Sequence, residues 1–162
     1  MQKYLTLPSP NFEDRIEPME YIILHSTQMK SDKEAIDRLC CQKAKVSCHY
    51  FIDQQGVLYQ LVSEDKIAWH AGESEWQNKT SLNKYSLGIE ISNPDTQGSV
   101  PYHECQYLTL EKLLSALMTK YNIKAENVLG HCHISPTRKT DPNPHFDWQR
   151  LIKSGLTVHS QK

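Results

Sequence analysis

The sequence predicts an α/β fold in which a central mixed β-sheet is flanked by helices. Three observations lead to this prediction: short apolar runs rich in strand-forming residues, one long amphipathic helix pattern, and the interleaving of such segments along the chain. A chain of 162 residues is long enough to build one core without disulfides. We therefore expect a single domain over residues 1–162, in which the proline-containing residues 1–20 form an extended lead-in.

Three segments before residue 100 carry strand signals. The run YIILHST (21–27) is apolar and rich in strand formers, which predicts a buried strand that ends at His25. The segment CHYFIDQQGVLYQLV (48–62) holds two strand-like runs around a central turn, which predicts a hairpin. In SLGIEIS (86–92) apolar and polar residues alternate, so a half-buried strand would place Glu90 on the face opposite the isoleucines.

Three further segments carry helix signals. Ser31 followed by Glu34 is a capping-box pattern, and apolar residues at helical spacing after it predict a helix over about 32–44. Apolar residues that step by three or four predict an amphipathic helix over about 103–121. The segment 147–155 predicts a short closing helix that stops at a glycine.

Composition narrows the classes of function. The chain has 18 Lys and Arg residues and 19 Asp and Glu residues, so its net charge is -1. It therefore lacks the excess of positive charge typical of proteins that bind nucleic acid or an anionic membrane. No apolar run approaches the roughly 20 residues that span a bilayer, and the N-terminus lacks a signal-peptide pattern. The five cysteines follow no disulfide-framework spacing. These features favour a cytoplasmic location, with the periplasm as the alternative if an export signal has been removed.

The segment GHCHISPTRKTDPNP (130–144) concentrates residues that bind metals. His131 ends a short predicted strand at 127–131, and His25 ends the strand predicted in 21–27, so both side chains are expected at strand ends. Ten residues after His131 comes Asp141, whose backbone is restricted by the proline that follows it. Two histidines and one carboxylate are a common catalytic zinc set that leaves the fourth position for water.

Spacing alone leaves this assignment open, because the chain contains eight histidines and accidental pairs are expected. His49, His70 and His133 compete for the same role. Any one of these rings could equally be a core or surface residue.

The longer segment GHCHISPTRKTDPNPHFDW resembles the closing signature of zinc-dependent N-acetylmuramoyl-L-alanine amidases of the type-2 class. That class shares its fold with peptidoglycan recognition proteins. The segments SPNFEDR, IILHST, KVSCHYFIDQQGVLYQLV, AWHAGES and SLGIEISN resemble the family in the same order along nearly the whole chain. The resemblance implies the peptidoglycan-recognition-protein-like amidase fold. It also implies hydrolysis of the amide between the lactyl group of N-acetylmuramic acid and L-alanine, in cell-wall turnover, remodelling or muropeptide recycling.

The resemblance also assigns roles to individual residues. His25, His131 and Asp141 take the positions of the zinc ligands. Glu90 takes the position of the acidic residue that activates water, which suits a carboxylate that can accept a proton. Lys139 takes the position of the cation that stabilises the tetrahedral oxyanion. An exposed strand glutamate and a solvated lysine are the alternatives for these last two residues.

Substrate contacts follow from the same resemblance. Arg138 could pair with a carboxylate of the stem peptide through its bidentate guanidinium, or it could have only a surface role. The residues that resemble the wall of the family's substrate groove are Trp69, His70, Ala71, Gly72 and Trp76. For Trp69 the alternative is packing in the core.

Two positions depart from the family pattern. His133 stands where close relatives usually have aspartate, and Cys48 stands where some phage-type members have a tyrosine that assists catalysis. His133 and His49 are expected behind the metal ligands, where they would orient a ligand or its loop.

Two other functions are compatible with the sequence. One is a non-catalytic peptidoglycan-binding module on the same fold, although all three ligand positions are retained here. The other is a zinc peptidase that acts on ordinary peptides. In each case we expect a monomer that binds a peptidoglycan or muropeptide substrate, or a peptide, without nucleic acid or a transmembrane segment.

Overall fold

A computed structural model of the chain describes residues 3–94 and 100–161. The strands are β1 (Leu5–Thr6), β2 (Phe12–Asp14), β3 (Tyr21–Ser26), β4 (Tyr50–Ile52), β5 (Leu58–Gln60), β6 (Lys66–Ala68), β7 (Glu75–Trp76), β8 (Lys79–Thr80), β9 (Ser86–Ile91) and β10 (Val128–Gly130). The α-helices are α1 (Asp32–Leu39), α2 (Glu104–Tyr121), α3 (His131–Ile134) and α4 (Trp148–Lys153). Short 3-10 helices cover Gln42–Ala44, Leu82–Tyr85 and Ala125–Asn127.

A six-stranded mixed sheet forms the centre of the fold, as the sequence predicts. Its order is β1-β5-β4-β9-β3-β10, and every pairing is parallel except the β4–β5 hairpin. Two small antiparallel ribbons, β2 with β6 and β7 with β8, complete the described strands. The parallel pairings bring the carboxyl ends of β3, β9 and β10 to one edge of the sheet.

Strand β9 is more buried than its alternating sequence predicts. Its apolar residues join a core that includes the inner face of α2, where Leu110 and Leu114 are fully covered. On the opposite face Ser86 and Gly88 are also buried. Histidine rings cover that second face, so the polar side of β9 faces the candidate site rather than bulk water.

Helix α1 ends earlier than the predicted residue 44. Its start is as expected, since the Ser31 hydroxyl accepts the Glu34 backbone N–H at 3.2 Å. After Leu39 the chain is held by the lead-in: the Ser9 hydroxyl donates to the Leu39 carbonyl at 2.6 Å, and Asn11 donates to two further carbonyls. These side chains replace the helical hydrogen bonds beyond Leu39.

The short strand before the second candidate histidine ends one residue earlier than predicted. Strand β10 stops at Gly130, and His131 is the first residue of α3. The Gly130 N–H donates to the His133 ring at 2.7 Å, which closes this first turn. Helix α2 and the closing helix α4 lie within their predicted ranges. None of the helices in residues 3–94 and 100–161 has the length and apolar character needed to cross a membrane.

Candidate metal centre and active site

His25, His131 and Asp141 converge on one point at the carboxyl edge of the sheet. The two Nδ1 atoms lie 3.0 Å apart, and Asp141 Oδ2 lies 3.2 Å from each of them. All three residues are buried. The fold therefore brings together the three residues that the sequence predicts as zinc ligands, and it could hold a metal ion there.

The sheet register explains this convergence. Strands β3 and β10 are parallel neighbours in which Leu24 is paired with Gly130. The residues that follow this pair, His25 in β3 and His131 at the start of α3, therefore emerge at the same level. The third group comes from the loop after α3, where the Cys132 N–H donates to the Asp141 carbonyl at 2.9 Å. This backbone hydrogen bond holds Asp141 against the first turn of α3.

The chemistry of these three groups fits a divalent cation. Zinc–nitrogen and zinc–oxygen distances of about 2.0–2.2 Å in a tetrahedron place neighbouring ligand atoms roughly 3.3 Å apart, close to the spacing seen here. The His131 Nε2–H donates to the Ala71 carbonyl at 3.0 Å, so a neutral His131 ring turns a lone pair on Nδ1 to the centre. The His131 lone pair and the Asp141 carboxylate are thus directed at one buried point, an arrangement that suits a bound cation.

The electrostatics of the cluster agree with this arrangement. Burial, and next the neighbouring His131, lower the pKa of His25 to about 4, so its ring is neutral at physiological pH. Burial acts to raise the pKa of Asp141, but the adjacent His131 and His25 side chains lower it below its usual range. His25 is thus a neutral imidazole and Asp141 an ionised carboxylate, the protonation states in which these two side chains bind metals.

Glu90 and Lys139 line the same cavity, which has a volume of about 190 Å³. Glu90 is paired in register with His25 across β9 and β3. Among the described residues no group hydrogen-bonds to its buried Oε2 atom. Burial, followed by the charge of Asp141, raises the pKa of Glu90 to about 8, while Lys139 acts in the opposite direction.

The predicted substrate contacts fall into two sets. Trp69 and His70 line the cavity with the metal cluster. Among the described residues that line the cavity, the other four predicted contacts are absent: Ala71, Gly72, Trp76 and Arg138.

Arg138 has a clear structural contact. It donates to the carbonyls of Ala71 at 3.1 Å and Glu73 at 2.7 Å, so its guanidinium ties two loops together. Its pairing with a peptide carboxylate stays a prediction, as do the substrate contacts of the other groove residues.

His49 and His133 both lie behind the cluster, on different sides. His49 accepts the Gly88 N–H at 3.0 Å, and its ring stands edge-on to His70 with centroids 5.9 Å apart. His133 Nδ1 accepts the Gly130 N–H at 2.7 Å, and His133 Nε2 lies 2.8 Å from the Ser160 carbonyl oxygen. Its ring therefore braces the turn that begins with His131.

The cavity also has a wall that sequence patterns do not reveal. It is formed by residues at the end of β3 and just after it, along α1 and before β4: Ser26, Thr27, Gln28, Met29, Ala35, Arg38, Leu39, Val46 and Ser47. Arg38 is exposed in the last turn of α1, where a basic residue is also an ordinary helix-end feature. Only its position over the cavity distinguishes it from other surface residues.

Comparison with known proteins defines the class. The family model for N-acetylmuramoyl-L-alanine amidase matches residues 15–144, and this chain belongs to that family. The 1,6-anhydro-N-acetylmuramyl-L-alanine amidase AmpD of Citrobacter freundii is 45% identical over 118 residues, which are 73% of this chain and 61% of the relative. The chain thus spans about three fifths of the length of the curated relatives it matches.

Solved structures show the same fold. A crystal structure of a selenomethionine AmpD derivative superimposes with a TM-score of 0.84 at 30% identity, covering 98% of this chain and 96% of the other. The amidase AmiD of E. coli, in complex with anhydro-N-acetylmuramic acid-L-Ala-D-gamma-Glu-L-Lys, gives a TM-score of 0.80 at 34% identity, with coverage of 86% and 58%. The peptidoglycan-recognition-protein-like amidase fold expected from the sequence is confirmed.

Proposed function

We propose that this chain is a zinc-dependent amidase that hydrolyses the bond between the lactyl group of N-acetylmuramic acid and L-alanine of a stem peptide. The observation that carries the proposal is the convergence of His25, His131 and Asp141 beside Glu90 and Lys139 in one cavity of an amidase-family fold. In this proposal residues 1–162 form one amidase domain, which acts as a monomer.

Each polar residue of the cavity has a defined task in this reaction. His25, His131 and Asp141 would hold zinc, a Lewis acid that polarises a carbonyl and lowers the pKa of water. Glu90 takes a proton from the attacking water and returns it to the leaving nitrogen of L-alanine. A carboxyl group with a raised pKa suits both transfers. Lys139 supplies positive charge where the carbonyl oxygen of the substrate becomes negative.

Two observations bear on the substrate and the cellular setting. The relatives include 1,6-anhydro-muramyl amidases, and the AmiD structure holds an anhydro-muramyl tripeptide. We therefore favour a muropeptide with a stem peptide as substrate, in recycling or turnover. All five cysteines are free thiols, which supports a reducing compartment such as the cytoplasm for this activity.

The proposal is tested by product analysis. Purified protein is incubated with soluble 1,6-anhydromuropeptides and, in parallel, with intact sacculi, and products are identified by mass spectrometry. We expect free stem peptide with an L-alanine amino terminus, together with the muramyl sugar bearing a free lactyl carboxylate. A matched Asp141→Ala protein should give neither product.

The same experiment separates the alternative functions. A non-catalytic binding module would leave both substrates intact while retaining affinity for them. A zinc peptidase would cut between amino acids and leave L-alanine attached to the sugar.

A further inference from the structure

A chain of hydrogen bonds runs from the candidate metal centre to the backbone of the 3-10 helix over Leu82–Tyr85. His25 Nε2 lies 3.0 Å from His70 Nδ1, and His70 Nε2 lies 3.2 Å from the Ser86 hydroxyl. The Ser86 hydroxyl in turn lies 2.6 Å from the Leu82 carbonyl oxygen. His25 and Ser86 are buried, and the His70 ring fills the space between them.

The last hydrogen bond fixes the direction of all the others. A carbonyl oxygen only accepts, so the single Ser86 hydroxyl proton is donated to Leu82. Ser86 must then accept the Nε2–H of His70, which leaves the lone pair of a neutral His70 ring on Nδ1. That nitrogen accepts the Nε2–H of His25. The remaining His25 nitrogen, Nδ1, therefore presents a lone pair to His131 and Asp141.

Gly88 provides the space that this arrangement needs. A Cβ atom added at Gly88 would lie 2.4 Å from Cγ and 2.6 Å from Cδ2 of the His70 ring, closer than such atoms approach in proteins. The Gly88 N–H also donates to His49 Nδ1 at 3.0 Å, and the His49 ring packs edge-on against His70. The glycine in the SLGIEIS segment thus seats His70 between β9 and His25.

We propose that His70 is a positioning residue for the metal centre, with Ser86 and Gly88 as its supports. It holds the His25 ring in the orientation and tautomer that turn Nδ1 toward the metal. This role differs from the substrate contact that the family resemblance suggests for His70. The inference rests on the zinc site of the proposed function, but it concerns metal affinity rather than the reaction. Partners that orient a metal-bound histidine are typically worth about 10–100-fold in metal affinity.

The test measures zinc affinity of the metal-free protein by competition with a chromogenic chelator. His70→Ala should weaken zinc binding by about 10–100-fold. Ser86→Ala leaves the ring in place but removes its acceptor, so a smaller loss in the same direction is expected. His70→Gln can still accept from His25 through its amide oxygen and should recover most of the affinity. The exposed His145, changed to Gln, serves as a histidine control and should bind as wild type does.

A second readout separates positioning from general loss of packing. Cobalt(II) is titrated into the same proteins, and its visible absorption reports the geometry of the ligands. His70→Ala should change the cobalt spectrum, whereas His70→Gln should restore it. Gly88→Ala should reproduce the His70→Ala spectrum, because the new methyl group displaces the ring. If Gly88→Ala fails to fold, as judged by thermal melting of the metal-free protein, the His70 and Ser86 variants alone carry the test.

The outcomes are distinguishable. Zinc affinity and cobalt spectra that stay at wild-type values in both His70→Ala and Ser86→Ala would overturn the proposal. Equal losses in His70→Ala and His70→Gln without a spectral change would also overturn it, since packing alone would then explain them. A wild-type protein that binds zinc but releases no stem peptide would instead overturn the proposed function and leave this inference standing.

Discussion

Replacing Glu90 by glutamine removes a proton acceptor while keeping the size of the side chain. In the proposed reaction Glu90 accepts a proton from water, and glutamine cannot do this. Turnover of a muropeptide should therefore fall by roughly 10²–10⁴, the usual contribution of a positioned general base. Zinc content should stay at the wild-type value, because none of the three predicted ligands has changed.

The same substitution has a stability effect whose size follows from the structure. Burial raises the pKa of Glu90 from 4.5 to about 8. A folded-state pKa above the unfolded value means that ionisation destabilises the fold as pH rises between these two values. This pKa difference corresponds to a loss of at most about 5 kcal/mol in the free energy of unfolding when Glu90 is ionised. Water in the cavity lowers this loss, so we expect Glu90→Gln to be more stable than wild type by about 2–4 kcal/mol at high pH.

The assay is urea unfolding of metal-free wild-type and Glu90→Gln proteins at several pH values. Well below pH 4 the Glu90 carboxyl is protonated in both states, so its ionisation makes no contribution to the difference in free energy of unfolding between the two proteins. Their difference should grow with pH in favour of Glu90→Gln and level off above about pH 8. If the difference in free energy of unfolding between the two proteins did not depend on pH, the pKa of Glu90 would not be raised in the folded protein. Turnover within threefold of wild type would remove Glu90 from the mechanism and direct attention to another base.

Three further predictions address other residues in and around the site. Asp141→Ala should lose both zinc and activity, whereas His133→Ala should retain zinc. Metal analysis of both proteins tests this, and a loss of zinc in His133→Ala alone would contradict the ligand assignment. Lys139→Met should retain zinc but lose turnover, and together with Glu90→Gln it should cost less than the product of the two single effects, since both act on one transition state. Arg138→Ala should lower the free energy of unfolding by about 1–3 kcal/mol in urea titrations, because it removes the two guanidinium hydrogen bonds to the carbonyls of Ala71 and Glu73. An unchanged value would show that these hydrogen bonds contribute little.

Local sequence patterns supply candidates for the centre of the site, and the family resemblance selects His25 and His131 among the competing histidines. An apolar run that ends in His25 and a proline-restricted Asp141 are visible in the letters, and parallel pairing of β3 with β10 supplies the rest. The alternation of β9 predicts the face on which Glu90 lies, whereas its role in the site is implied by the family resemblance. Register converts these separate signals into one cluster, because paired residues of parallel strands emerge together.

Other features depend on contacts between distant segments and leave no local pattern. The end of α1 is set by Ser9 and Asn11, which lie 30 residues away from the carbonyls of Leu39 and Cys41 that they bind. The place of His70 between His25 and Ser86 likewise arises from three separate segments. A motif such as WHAG shows that His70 belongs to the site but not which atoms its ring contacts.

The most direct test of the proposed function is to follow the oxygen of the attacking water. An anhydro-muramyl tripeptide is hydrolysed in water enriched in oxygen-18, and both products are analysed by mass spectrometry. Cleavage of the lactyl–alanine amide breaks its carbon–nitrogen bond, places the water oxygen on the lactyl carboxylate and leaves a free amine on L-alanine. We therefore expect the isotope in the muramyl product and none in the released peptide. Label found only in a peptide carboxylate, with L-alanine still joined to the sugar, would contradict the amidase assignment.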